Sequence, residues 1–236
     1  MTAIILAGGK SSRFGESKAL QVIGGKSIIQ RVVDSLSAVC APIIVATAHG
    51  EEIPCSSTAE IITVADIYPA GGALAGIHSA LTASHSCRAV VVGCDMPFLS
   101  IGLLRHMCRI SSAYDAVVPR VDDNVEPLCA VYSRNCLGPI RTLLDRHELR
   151  VDRLFSMVKV RYVGKDEIDR FDPEHLGFFN INSRADLEKA RAMASAGGLQ
   201  RDNTAVSNGY HFSCDSRETS QVRRGSSSEP TLDSNH

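Results

Sequence analysis

Residues 6–18 read Leu6-Ala7-Gly8-Gly9-Lys10-Ser11-Ser12-Arg13-Phe14-Gly15-Glu16-Ser17-Lys18, a glycine-rich stretch with basic side chains directly after a short apolar run. Glycine permits positive φ and close backbone approach, so that successive amide N–H groups can face phosphate oxygens. Arg13 can clamp a phosphate through two parallel N–H bonds, and Lys18 can act as a point charge on departing pyrophosphate. The same composition also suits an ordinary surface loop. Two familiar phosphate motifs do not apply: Gly-x-Gly-x-x-Gly is absent, and Gly25-Lys26-Ser27 lacks the glycine a P-loop requires at position 20, where Leu20 stands.

Three further segments carry polar groups at the ends of apolar runs. Val90-Val91-Val92-Gly93-Cys94-Asp95-Met96-Pro97 ends a strand-like run in a carboxylate. Such a group beyond a parallel strand can hold Mg²⁺, which keeps several waters and bridges to substrate phosphates; it can equally cap a helix. Asp66, in Val64-Ala65-Asp66-Ile67 ahead of Gly71-Gly72-Ala73-Leu74-Ala75-Gly76, can accept from a ribose hydroxyl or a base amino group, or flank an ordinary turn. Asn180 and Asn182 alternate in Phe179-Asn180-Ile181-Asn182, just before a helix, where they can contact a second substrate, complete a metal shell or simply form a polar turn.

The elements that must position these groups follow from periodicity. Apolar runs without polar alternation at Ala3–Leu6, Pro42–Thr47, Ile61–Val64, Ala89–Gly93, Ala116–Pro119 and Leu128–Tyr132 predict strands buried on both faces. Three- and four-residue apolar spacing predicts helices over Ser27–Ser37, Ala73–Ser84 and Ser100–Ser111. Helical stretches near Leu137–Arg146 and Val151–Ser156 and a strand at Val158–Val163 follow. A last helix, capped by Ser183 with Asp186 three residues on, runs through Ala194. The alternation predicts an α/β fold with a largely parallel sheet, in a single domain over 1–196. Residues 197–236 are polar and aperiodic, and are expected to form a disordered tail.

A formal net charge of −1 offers no field for nucleic acid or an anionic membrane. The opening apolar run has no basic flank and is too short for a leader or spanning segment, so a cytoplasmic protein is expected. The eight cysteines are scattered with no Cys-x-x-Cys pair, which predicts reduced thiols rather than a disulfide or zinc framework.

With these residues in place, the chain resembles the molybdenum cofactor guanylyltransferases, which have the nucleotide-diphospho-sugar transferase fold, a Rossmann-like three-layer α/β/α arrangement. The resemblance covers most of residues 2–195. It rests on Leu6-Ala7-Gly8-Gly9 with Ser12-Arg13-Phe14-Gly15 and Lys18, then Leu74-Ala75-Gly76, Asp95-Met96-Pro97 and Phe179-Asn180-Ile181-Asn182, in that order. It implies that GTP lies along the first loop, with Leu6, Ala7, Gly8 and Gly9 around it and Lys18 near its phosphates. It further implies that Asp66 binds nucleotide, that Asp95 binds both Mg²⁺ and nucleotide, and that Asn180 and Asn182 face a molybdopterin or molybdenum-molybdopterin acceptor. Arg13, Lys18 and Asp95 are the catalytic candidates. Glu126-Pro127-Leu128-Cys129-Ala130-Val131-Tyr132 resembles the family's acceptor-side strand, and transient contact with molybdenum cofactor delivery proteins is implied.

Two departures stand out. Where the family carries an asparagine after the second strand, this chain reads Thr47-Ala48-His49, and Ala73 replaces a proline before Leu-Ala-Gly. The expected reaction is transfer of GMP from GTP to the terminal phosphate of molybdopterin with release of pyrophosphate. The alternatives are a CTP-dependent enzyme acting on molybdopterin or a sugar or polyol phosphate, and a nucleotide-binding regulator without catalysis. Leu-Ala-Gly-Gly favours the guanylyl branch, since cytidylyl relatives more often carry Leu-Ala-Ala-Gly.

Overall fold

The structure, a computed structural model, describes residues 1–8 and 18–195. Strand β1 (Thr2–Leu6) precedes a hairpin of β2 (Val22–Ile23) and β3 (Lys26–Ser27), helix α1 (Ile28–Ser37), β4 (Ile43–Thr47), β5 (Ile61–Ala65), α2 (Gly72–Ala83), β6 (Arg88–Gly93) and α3 (Ile101–Ile110). The second half adds β7 (Ala116–Val121), β8 (Asn124–Val125), β9 (Cys129–Ser133), α4 (Leu137–Asp145), β10 (Val160–Val163), α5 (Lys165–Ile168) and α6 (Arg184–Ser195).

The apolar runs become strands because helices cover both faces of the sheet. Ala3 and Ile5 of β1 join one core with Val32, Val33 and Leu36 of α1 and Leu103, Leu104 and Met107 of α3. Ile4 joins the opposite core with Leu74, Ile77 and Leu81 of α2 and Ile140 and Leu143 of α4. β6 divides in the same way, Val90 and Val92 to the first core and Ala89 and Val91 to the second. Each fully buried Val, Ile or Leu contributes about 1.5–3 kcal/mol, so a polar residue at any of these positions would be costly. The result is the three-layer α/β/α arrangement expected.

The sheet runs β10-β7-β9-β6-β1-β4-β5, with β8 paired to β7. Its main strands are parallel except β9, which is antiparallel to both β6 and β7. A parallel return needs a crossover of roughly a dozen residues or more. Residues 122–128 are too few, and they turn through Asp122 at φ 53° instead. The stretch Val151–Ser156 forms a 3-10 turn rather than an α-helix. Its two buried residues, Val151 and Leu154, are three apart, the spacing that stacks side chains in a 3-10 helix.

Gly24 and Gly25 have φ of 55° and 80° and form the two-residue turn between β2 and β3, where Ile23 pairs with Lys26. Positive φ at both turn residues matches the twist of a tight hairpin. Gly25-Lys26-Ser27 therefore makes a turn and then a cap, Ser27 Oγ accepting from Gln30 N at 3.3 Å. At α6, Ser183 N donates to Asp186 Oδ2 at 2.8 Å and Asp186 N returns a bond to Ser183 Oγ at 3.2 Å, the reciprocal pair expected. The seven cysteines among the described residues are free thiols. No described helix is long and apolar enough to cross a membrane. The expected tail over 197–236 lies outside the described residues.

Candidate functional site

From β1 the sheet extends through β4 and β5 to one side and through β6, β9 and β7 to the other. At such a switch point a crevice opens beyond the carboxyl ends of the strands, where ligands bind. Main-chain pairing continues to this rim: Ala7 N donates to Ala46 O at 2.8 Å, and Cys94 N donates to Leu6 O at 3.1 Å. Leu6, Ala7 and Gly8 leave β1 here, Asp66 follows β5 and Asp95 follows β6.

On the β5 side, Leu6, Gly8, Gly76 and Asp66 meet. A Cβ at Gly8 would stand 3.7 Å from Asp66 Oδ2, and one at Gly76 would stand 3.0 Å from Leu6 Cδ2 and 3.6 Å from Asp66 Oδ1. Within Leu74-Ala75-Gly76 the first two residues fill the core and the glycine lets α2 approach the rim. Asp66 N donates to Thr47 O at 3.0 Å, which fixes its backbone. Its Oδ1 is buried and has no hydrogen-bond partner among the described residues. Burial pushes the carboxyl above its ordinary range, while the charge of His49 opposes that shift. A buried acceptor without a donor is costly, and a ligand N–H or O–H would relieve the cost. Of the two residues that stand where an asparagine was expected, Thr47 is buried at the end of β4 and His49 is exposed.

The second cluster forms at the end of β6. Lys18 Nζ donates to Asp95 Oδ2 at 2.8 Å and to Asn182 Oδ1 at 3.4 Å. The Lys18 and Asp95 side chains are 19% and 21% exposed, so the pair is shielded yet open to a ligand from solvent. Asp95 O accepts from Ile181 N at 3.0 Å, tying the segment around Asn182 to the strand end. A Cβ at Gly93 would lie 2.6 Å from Asp95 Oδ1, so only glycine lets the carboxylate fold back over the end of β6.

The segment carrying Asn180 and Asn182 is pinned at both ends. Upstream, buried Asp172 accepts from Leu176 N at 3.1 Å and Gly177 N at 2.7 Å. Downstream, Asp186 Oδ2 accepts from Asn182 N at 2.9 Å. Asn180 instead makes a local bond, its Nδ2 donating to Phe178 O at 3.0 Å.

Of the sequence candidates, the fold thus gathers Leu6, Gly8 and Asp66 in one group and Lys18, Asp95 and Asn182 in another. Three strand spacings separate Asp66 from Asp95, roughly 14 Å along the sheet. Gly9 and Arg13 lie outside the described residues. The close approaches at Gly76 and Gly93 were invisible in the sequence, because spacing does not report which side chain folds over which glycine.

Asp95 and Asn182 present hard oxygen atoms around a cation, the Lys18 ammonium, and this donor set suits Mg²⁺. No group of three or more His, Cys, Asp or Glu side chains converges among the described residues. A metal would therefore rest on one carboxylate, water and substrate phosphates, as Mg²⁺ commonly does.

Comparison with known proteins identifies the family and the fold. A family model described as MobA-like NTP transferase domain matches residues 3–159. The chain is 38% identical over 193 residues to a protein of Pelotomaculum thermopropionicum named probable molybdenum cofactor guanylyltransferase, covering 82% of this chain and 93% of that one. It is 34% identical over 202 residues to the molybdenum cofactor guanylyltransferase of Desulfosudis oleivorans, covering 84% and 98% respectively. The solved structure of molybdopterin-guanine dinucleotide biosynthesis protein A from Archaeoglobus fulgidus aligns with a TM-score of 0.69 at 26% identity, over 83% of this chain and all 100% of that one. The 2-C-methyl-D-erythritol 4-phosphate cytidylyltransferase of Thermus thermophilus shares the fold, with a TM-score of 0.60 at 19% identity over 82% and 98% of the two chains.

Proposed function

This chain belongs to the family of MobA-like NTP transferase domains, and from that premise we propose that it transfers GMP from GTP to the terminal phosphate of molybdopterin, releasing pyrophosphate. The observation that carries the proposal is the meeting of Lys18, Asp95 and Asn182 at 2.8 and 3.4 Å on the switch point of the sheet. A phosphate monoester has a second pKa of about 6, so the acceptor is largely a dianion at neutral pH and attacks without a general base. The O–P bond to the α-phosphorus forms as the bond to pyrophosphate breaks, and the protein's task is to align two anions and neutralise charge developing on the leaving group.

Each residue has a part in this reading. Leu6, Ala7, Gly8 and Gly9 line the nucleotide, and the unpaired Oδ1 of Asp66 accepts from its base or ribose. Lys18 turns from Asp95 to the phosphates, with Arg13 as a second cation. Asp95, with the oxygen of Asn182 nearby, holds Mg²⁺. Held there, Mg²⁺ would supply neutralisation of the phosphate charge. Asn180 and Asn182 face the acceptor. The seven free thiols among the described residues suit a cytoplasmic setting.

Pyrophosphate release tests the proposal. Release is expected with GTP, Mg²⁺ and molybdopterin together, and a halt is expected on omission of any one. Tight GTP binding with no acceptor-dependent release would favour a non-catalytic nucleotide-binding protein.

A further inference from the structure

Where β7 and β9 meet, on the segment that resembles the family's acceptor-side strand, the described residues include a carboxylate, Glu126, with no polar contact of its own. Glu126 lies between β8 and β9 on a backbone held from three sides. Its N–H donates to Pro119 O at 3.0 Å, its carbonyl accepts from Cys129 N at 3.1 Å, and the carbonyl of Leu128 accepts from Gly93 N at 2.9 Å. From inside the core, the fully buried Tyr132 donates its hydroxyl to Pro127 O at 2.8 Å. Glu126 therefore stands at the carboxyl edges of β6 and β7, on the same rim as Asp95.

Its side chain is half-buried and has no hydrogen bond or ion pair among the described residues. Burial pushes the carboxyl above its ordinary range. Its neighbours differ. Both oxygens of Asp172 are occupied by Leu176 N and Gly177 N, and Asp122 and Asp123 are exposed at the β7–β8 turn. β9 lies one strand beyond β6 and β7 two, so Glu126 is on the order of 5–10 Å further along the sheet, on the side away from Asp66.

We propose that Glu126 selects the acceptor by its ring system, its two carboxylate oxygens accepting from the adjacent ring N–H and exocyclic amino N–H of a 2-amino-4-oxopterin edge. The inference rests on the GMP-transfer reading for the identity of the acceptor. Two parallel N–H donors match a carboxylate in the way a guanidinium does, and such charge-assisted pairs are strong where water is partly excluded. A strand-end carboxylate on a braced turn can thus hold the ring over β9 and β7 while the terminal phosphate reaches the end of β6. Glu126 touches substrate but not the reacting atoms, so its loss affects acceptor binding and spares chemistry.

The test compares the parent with Glu126→Gln, Glu126→Ala and, as a surface control, Asp123→Asn. Two measurements are made on each: steady-state GMP transfer to molybdopterin, and binding of free 6-hydroxymethylpterin by its fluorescence in the absence of nucleotide. Both Glu126 variants should raise KM for molybdopterin about 10- to 100-fold and weaken pterin binding in step, with GTP affinity and saturated kcat within about threefold of the parent. Asp123→Asn should match the parent throughout. An unchanged KM, or an equal loss of GTP affinity, overturns the role of Glu126 while leaving GMP transfer standing. A parent that binds pterin through Glu126 yet transfers no GMP overturns the transfer reading alone. A parent that does neither overturns both.

Discussion

Replacing Gly93 by alanine probes the geometry at Asp95 without touching any reactive group. The added Cβ would lie 2.6 Å from Asp95 Oδ1 and 3.7 Å from Met96 Cγ and Sδ, so the carboxylate is the atom group that must move. Ordinary contact begins at about 3.5 Å, which requires a displacement of roughly 1 Å. A shift of that size at a group aligning reactants commonly costs on the order of a hundredfold, or about 2.7 kcal/mol in the barrier. The fold itself should not suffer. Gly93 is within a strand, where alanine reduces the freedom of the unfolded chain by about 0.5–1 kcal/mol, offsetting the local crowding. The assay is kcat for GMP transfer at saturating GTP and acceptor, read beside a thermal melt. The expected result is a kcat about a hundredfold lower with a melting temperature within a few degrees of the parent. A variant that melts like the parent and turns over at the parent rate would refute the reasoning, because a displaced Asp95 would then be doing the same work.

Three further outcomes are expected. Lys18→Ala should fold normally, since Lys18 is at the rim outside the cores, but should lose about 3 kcal/mol of transition-state stabilisation, roughly a hundredfold in kcat; circular dichroism with initial rates checks both halves. Asp66→Asn should weaken GTP binding by about 10- to 100-fold, measured by calorimetry, through loss of a charged acceptor. It should also raise stability near neutral pH: the folded carboxyl lies above its ordinary 3.8, so the folded state holds its proton to higher pH, and the cost of ionising it grows as pH rises through the folded value. The stability difference from the parent should therefore be present at about pH 8 and shrink toward pH 4 in denaturant titrations. Asp186→Ala keeps the Ser183 cap of α6 but removes the reciprocal bonds from Ser183 N and Asn182 N; it should cost about 1 kcal/mol, a drop of about 2–4 °C in melting temperature, with a higher KM for the acceptor.

Much of this architecture was legible from residue pattern. Runs such as Val90-Val91-Val92 can satisfy neither face of a surface strand, so they require helices on both sides, and the serines at positions 27, 100 and 183 cap helices where spacing places them. The direction of β9 was not legible, because an apolar run is the same in either sense and only the short connection over 122–128 decides it. Gly25-Lys26-Ser27 shows how a motif fragment is resolved by backbone: positive φ at two successive glycines makes a hairpin. At the site, Lys18, Asp95 and Asn182 come from segments far apart in the chain, and the pattern names them without giving the distances that join them. The unpaired oxygen of Asp66 and the braced turn under Glu126 emerge only in three dimensions, since burial without a partner leaves no mark on composition.

The central claim is tested most directly by incubating the protein with molybdopterin, Mg²⁺ and α-phosphate-labelled GTP or CTP in parallel, and counting label on the pterin. Transfer from GTP and little or none from CTP is expected, with one pyrophosphate released per label transferred. Transfer from CTP in preference to GTP would contradict the guanylyl assignment, and label on the pterin from neither nucleotide would contradict the reaction itself.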